Sequence, residues 1–412
     1  MASDRATTWR AASRTAADGK SQVEDEGGRD PADGAVTMGG MKHASMSAPA
    51  PYPACVDTAA RRRIEAFWAG SSIGGRPALH ITWKDARTSD ERWSGSSDPL
   101  VRDRDPAFQA HMARAVLREH GLAEAVPRAG IHFGSNIALL PALLGHPYGY
   151  TSGTAWIHPV ERIYDLPIPA FDPTHPLIRD LEEGMRQAAA VIGDQAALVP
   201  PALGLDALTT LSLLRGAETL CEDLLDDPER VEAWLVPVRA FWRDLARYLT
   251  ATARSLGHAG GASWLHTWAP GSFEALQCDA AVLLSKPMFT RFVLPELTAA
   301  ATSFDYALYH LDGTCQMRFL DQIAAVPGIR GIQWNPEPGE NRIEDPRWIE
   351  CFRAIRKRGL VLQFNAWESR TVEQVITVVK ALGPDGLMFA LPAFASEGEA
   401  VAALEHIERA CR

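Results

Sequence analysis

Long apolar runs are missing from this 412-residue sequence. No stretch approaches the roughly 18 consecutive apolar residues that cross a bilayer. Nor does the amino-terminal end show the charged, then apolar, then small-residue order of a secretory signal. Cysteine is sparse as well: the six residues Cys55, Cys221, Cys278, Cys315, Cys351 and Cys411 form no CxxC pair. A chain of this length closes its core without disulfides, so the spacing leads to the expectation of a reducing cytoplasm and no membrane partner. Positive charge is in the minority, 41 Lys and Arg against 51 Asp and Glu, for a net charge of −10. A surface that tracks nucleic-acid phosphates needs clustered cations, so nucleic acid is a poor partner. Among motifs, no GxGxxG follows a strand, and GxxxxGK[ST], HExxH and GxSxG do not occur, so dinucleotide, P-loop, zincin and nucleophile-elbow chemistry lack support. Lysines are few near the strand ends, which weighs against a Schiff-base aldolase.

What is present is ordinary globular composition, 46% hydrophobic and 22% charged. Residues 1–50 are rich in Ala, Gly, Ser, Arg and Asp without apolar periodicity, and read as a disordered leader. They contain Met38, Met41 and Met46, so the expectation is either a natural start further downstream or a regulatory tail. From 51 to 412 the pattern is that of a single domain. Short apolar or β-branched runs alternate with helix-length amphipathic stretches, the signature of parallel βα units. The runs are Ala78 to Trp83, Ala129 to Gly134, Ala197 to Pro200, Ala262 to Trp268, Tyr306 to Asp312, Ile329 to Trp334, Leu360 to Asn365 and Leu387 to Pro392. Eight of them predict an α/β fold, a (β/α)8 TIM barrel with insertions. Helices are expected over Asp105 to Glu119, Leu177 to Ile192, Pro228 to Leu256, Pro287 to Thr302, Pro346 to Arg358, Val372 to Leu382 and Glu397 to Ala410. Ser285 before Pro287 and Asp345 before Pro346 place a capping side chain ahead of a first-turn proline.

In such a barrel the reacting groups come from the carboxyl ends of the strands. The polar residues there are Trp83, Asn136, Asp206, His266, Trp268, His310, Asp312, Gln333, Asn335, Glu337, Asn365 and Glu368. Residues two apart on a strand share a face, so His310 and Asp312 are expected together at the barrel mouth. They form either an acid–base couple or two metal ligands, with a hydrogen-bonded pair holding the Gly313 turn as the bland alternative. Cys315, three residues beyond Asp312, reads as a buried apolar thiol on the next helix, with a third metal ligand as the alternative. His266 and Trp268 repeat the two-residue spacing on the fourth strand, and Trp268 is expected as a flat pocket wall. Of Gln333 and Trp334 only one points inward. Trp83, Asn136, His266, Trp268, Gln333 and Asn365 are the expected substrate contacts, with His310 and Asp312 catalytic.

The segments Leu276-Gln277-Cys278-Asp279, Ser285-Lys286-Pro287-Met288-Phe289, Phe292-Val293-Leu294-Pro295, His310-Leu311-Asp312-Gly313 and Ile329-Arg330-Gly331-Ile332-Gln333-Trp334 resemble the uroporphyrinogen decarboxylase-like superfamily. Weaker matches are Arg62 to Trp68 and Gly204 to Leu208, so the resemblance covers nearly everything after residue 55. It implies a (β/α)8 barrel and either porphyrinogen decarboxylation or zinc-dependent methyl transfer between corrinoid proteins and thiols. The decarboxylases' Met-Arg-Gln-Ala-Gly-Arg type segment is absent, and the corresponding region offers only Arg76 and Trp83. The methyltransferases' His-x-Cys-Gly motif aligns with His310-Leu311-Asp312-Gly313, where Asp312 replaces the cysteine, and the last strand ends Ala390-Leu391-Pro392-Ala393 without a thiol. The expectation is a divergent methyltransferase that binds a metal, zinc for instance, through His310 and Asp312, with a corrinoid as methyl donor or acceptor. Two other readings stand beside it: a metal-free decarboxylase or lyase acting on a small carboxylated substrate, and a non-catalytic barrel that partners a corrinoid protein.

Overall fold

The computed structural model describes residues 52–54, 56–84, 92–151, 154–203, 206–337, 339–340, 342–367 and 371–412. The leader at 1–50 and Glu368 lie outside the described residues, as does the side chain of Asn136.

The apolar runs become strands because both of their faces are covered, and a strand buried on both faces carries a near-continuous apolar sequence. Thirteen are described: β1 (Ala78–Lys84), β2 (Glu119–Ala123), β3 (Arg128–Gly130), β4 (Tyr148–Thr151), β5 (Thr154–Ile157), β6 (Ala197–Val199), β7 (Gly261–Ala262), β8 (Trp268–Ala269), β9 (Phe273–Leu276), β10 (Tyr306–Asp312), β11 (Ile329–Asn335), β12 (Val361–Phe364) and β13 (Leu387–Ala390). The central sheet has seven strands in the order β2-β1-β13-β12-β11-β10-β9, parallel throughout except for β2 against β1. β3 and β6 form a separate parallel pair, while β4–β5 and β7–β8 are antiparallel. The protein is thus α/β with a mostly parallel sheet. Among the described residues its hydrogen-bonded ladder does not close into the predicted eight-stranded barrel.

Two departures from the sequence reading concern the strands. The run Ala262 to Trp268 is not one strand. Its ends are β7 and β8, which pair with each other, and the place beside β10 is taken by Phe273–Leu276. That short strand, outside all eight runs, holds the buried Glu274. The helix expected to reach Glu119 ends at Val116, and Glu119–Ala123 turns back as β2 on the edge of β1. The helices otherwise fall where the periodicity puts them, including Pro176–Ile192, Pro346–Lys357, Val372–Leu382 and Glu397–Ala410. Helix Pro228–Ser255 buries Trp234, Val238, Phe241, Leu245 and Leu249, a stripe at spacings of three and four. The Ser285 and Asp345 side chains cap as expected, accepting from Met288 N and Arg347 N. The stretch Pro287 to Thr302 is two helices, Lys286–Phe292 and Leu294–Ala301. Pro295 cannot donate the backbone hydrogen bond that would continue the first.

The strand starts converge on an aromatic plug. Helix Thr58–Trp68 sends Trp68 against Phe273 and Tyr306, the first residues of β9 and β10, and its indole N–H donates to the Trp268 carbonyl at 2.9 Å. Beside it Arg76 grips Glu124 with both guanidinium nitrogens, at 2.7 and 2.9 Å, and Glu124 also accepts from Leu79 N. Burial of this pair is complete on the Glu124 side. Arg76 is therefore spent on structure, closing the end of the fold away from the strand tips. At Gly331 in β11 a side chain has no room: an added Cβ would collide with the backbone oxygen and Cγ2 of Val361 on β12.

Candidate functional site

Strand period places every second residue of β10 inward, and the chemistry follows from what stands opposite. Cross-strand register sets His310 against Gln333 and Asp312 against Asn335. Tyr309 points the other way, where its hydroxyl donates to Gln316 Oε1 at 2.7 Å. Gln333 is the inward member of its pair, while Trp334 packs outward on Trp348 and Phe352. The Gln333 amide nitrogen donates to the Trp334 carbonyl, so its oxygen faces His310 Nδ1. That oxygen can only accept, so Nδ1 carries the proton and Nε2 keeps its lone pair. Burial pushes the His310 pKa below its ordinary value, against the opposing pull of Asp312 and the Gln333 hydrogen bond. The imidazole is therefore neutral at pH 7, with a base at Nε2.

A second row lies one step nearer the strand ends. Asn335 donates to Asp312, and its oxygen accepts from the Trp367 indole at 2.9 Å. Glu337, just beyond, accepts from the backbone and hydroxyl of Thr314, bracing the turn at Gly313, whose φ of 87° suits glycine. Cys315 beside it is exposed rather than buried. Asn365 joins a third group: its oxygen accepts from Gln363 at 2.8 Å and lies 3.2 Å from His266 Nδ1. Two tryptophans tie these rows together. Trp264 stands edge-on to His310 at 4.9 Å and parallel to Trp367 at 6.2 Å, and Trp367 meets His266 edge-on.

Trp264 also borders open space. A cavity of about 460 Å³ is walled by Met112, Val116, Ile131, Val199, Trp264 and His266, and a second of about 250 Å³ by His80, Thr82, Val126 and Leu391. Glu119, Arg128 and His266 line both. Arg128 is surrounded by protein, and what surface it keeps faces these spaces. Burial lowers its pKa to about 10, still fully charged at pH 7. Burial also holds His266 down to about 4, helped by the Arg128 charge, and pushes His80 well below its ordinary value. The two imidazoles, 5.0 Å apart, are thus neutral, and Arg128 is the cation.

Of the residues singled out in the sequence, His310 and Gln333 touch directly, as do His266 and Asn365, while Asp312 reaches them through Asn335 and Trp367. Trp268 is elsewhere. It packs on Tyr52 at 4.2 Å in the plug beneath the site, because the chain turns at residues 263–267 instead of running straight as a strand. Trp83 stacks on His120 at 5.3 Å and lines neither cavity; Thr82 does. Asp206 caps helix Ala207–Arg215. Arg128, His80 and Trp264 were not anticipated. His80 and Thr82 interrupt the apolar β1 at the inward period, a signal visible in the sequence. Arg128 begins its strand, where a search of strand ends does not look.

For a metal the donors are few. His310 and Asp312 supply one nitrogen and one carboxylate, and among the described residues no three His, Cys, Asp or Glu side chains converge. Resident zinc takes three or four protein ligands, so this donor set does not fit one. Nor is any helix among the described residues long and apolar enough to cross a membrane.

No family model and no curated protein matches the sequence. Among solved structures, a methyltransferase from Methanosarcina mazei superposes with a TM-score of 0.54 at 14% identity, covering 86% of this chain and 99% of that one. At that identity the likeness is one of fold.

Proposed function

We propose that this chain is a (β/α)8-barrel enzyme that moves a methyl group between a corrinoid-class carrier and a small polar acceptor, with His310 as the proton-accepting group. Three things support the barrel: β1 pairs with the last strand β13, β9 to β13 follow in chain order, and the separate parallel pair β3–β6 has the direction that second and third strands would need. Methyl transfer draws its support from the fold shared with the Methanosarcina mazei methyltransferase.

The observation that carries the chemistry is the His310–Gln333 pair beneath Trp264, which holds the neutral tautomer with Nε2 as base. An acceptor such as a thiol loses its proton to Nε2. The electron pair left on the acceptor forms the new bond to carbon, while the old carbon bond breaks with its pair remaining on the carrier. The imidazolium so formed is stabilised by Asp312, whose charge already raises the affinity of His310 for a proton. No step is routed through a metal.

Methylcobalamin mixed with the protein and a panel of thiols tests this by visible absorbance. Demethylation by the wild type and a loss of about 10²- to 10⁴-fold in His310→Gln is expected. No spectral change with any thiol, or carbon dioxide released from a carboxylated substrate instead, would overturn it.

A further inference from the structure

Several enclosed arginines pair with carboxylates, Arg76 with Glu124, Arg215 with Asp223 and Arg239 with Glu296, whereas Arg356 donates only to the Leu360 and Gly70 carbonyls. Arg128 also has no ion pair, and it lines both cavities. Its guanidinium donates to two neutral acceptors, the Ser263 carbonyl at 3.0 Å and the Leu265 carbonyl, and its Nε has no partner. Among the described residues no carboxylate comes within ion-pair distance of it. The Glu119 charge offsets part of the cost of enclosing this cation, and the fold bears the rest beside two adjoining cavities.

We infer that Arg128 is the anchor of a binding site for a small organic monoanion, a short-chain carboxylate whose apolar body lies against Met112, Val116 and Ile131 in the larger cavity. The charge count selects the class. Arg118 and Arg128 are the cations of the lining, Glu119 is its anion, and His80 and His266 are neutral, which leaves one net positive charge. A single carboxylate balances it, whereas a phosphate dianion would bring surplus negative charge into an enclosed space. A planar carboxylate also matches the guanidinium fork, which a lysine cannot offer. Met112, Val116, Ile131 and Val199 give the larger cavity an apolar portion that suits an aliphatic chain.

The site stands apart from the methyl-transfer reading, since it concerns binding and is read without turnover. Isothermal titration calorimetry with butyrate, butyramide and inorganic phosphate on the full chain tests it. Butyrate is expected to bind the wild type, with butyramide and phosphate weaker by about tenfold or more, and Arg128→Met is expected to weaken butyrate on the order of 10- to 100-fold. Arg128 also ties down the Ser263 and Leu265 carbonyls, so Arg128→Met is compared with Val116→Trp, which takes up part of the larger cavity and leaves the arginine in place. Val116→Trp is expected to abolish butyrate binding with its melting temperature kept. Failure of acetate, butyrate and hexanoate alike to bind the wild type, equal binding by folded Arg128→Met, tighter binding of phosphate, or undiminished binding by Val116→Trp would each overturn the inference.

Discussion

His310 and Gln333 stand opposite each other on neighbouring parallel strands, and the glutamine is oriented by a bond to the carbonyl of the next residue in its own chain. The tautomer of the histidine is thereby settled two bonds away from the imidazole. Gln333→Glu puts an anion in the same place and is expected to raise the His310 pKa, whereas Gln333→Leu removes a bond that favours the charged form and is expected to lower it further. NMR titration of the His310 ring protons distinguishes the two; equal pKa values in both variants would show that Gln333 does not govern the ring.

Burial holds Glu274 and Asp279 protonated, each with its pKa raised to about 8, the charge of Asp312 adding to the effect at Asp279. Both ionise near 4 in the unfolded chain. Between pH 6.5 and 8 the folded state therefore holds more protons than the unfolded one, and stability falls as pH rises through that window, by at most about 1.4 kcal/mol per pH unit for each group. Below pH 6.5 the depressed His80 and His266 act oppositely, since the unfolded chain then binds protons that the folded state refuses. Urea unfolding at pH 6.5 and 8 checks the slope, and Glu274→Gln is expected to flatten it.

Glu124→Ala leaves Arg76 buried without its main counter-charge. Stability is expected to drop by about 3–5 kcal/mol, while the double replacement Arg76→Met with Glu124→Leu recovers most of it. Chemical denaturation of the two variants measures the difference.

Gly331→Ala forces a methyl group onto the Val361 backbone and is expected to cost about 1–3 kcal/mol. Because Gln333 lies two residues along the same strand, displacement of β11 is also expected to disturb the His310 titration, readable in the same NMR experiment.

How far the site was legible follows from the range of each contact. His310, Asp312 and Gln333 were marked by period-two spacing and strand position, both local properties. Trp268 was misplaced by the same rule, because the rule assumes a straight strand and residues 263–267 turn. The short β9 escaped notice, since four residues that include a glutamate carry too little apolar signal to separate a strand from a loop.

The sequence by itself determined an α/β protein with parallel strands, most of its helices and their caps, and the inward face of β10, because periodicity and capping act over a few residues. Only the tertiary structure decided that Arg128 meets the carbonyls of Ser263 and Leu265, more than 130 residues away, and that Trp264 touches His310 and also borders the larger cavity. Those meetings depend on which strands become neighbours and on the path of the turn after β7. They are set by packing of the whole chain, and no local pattern of residues encodes them.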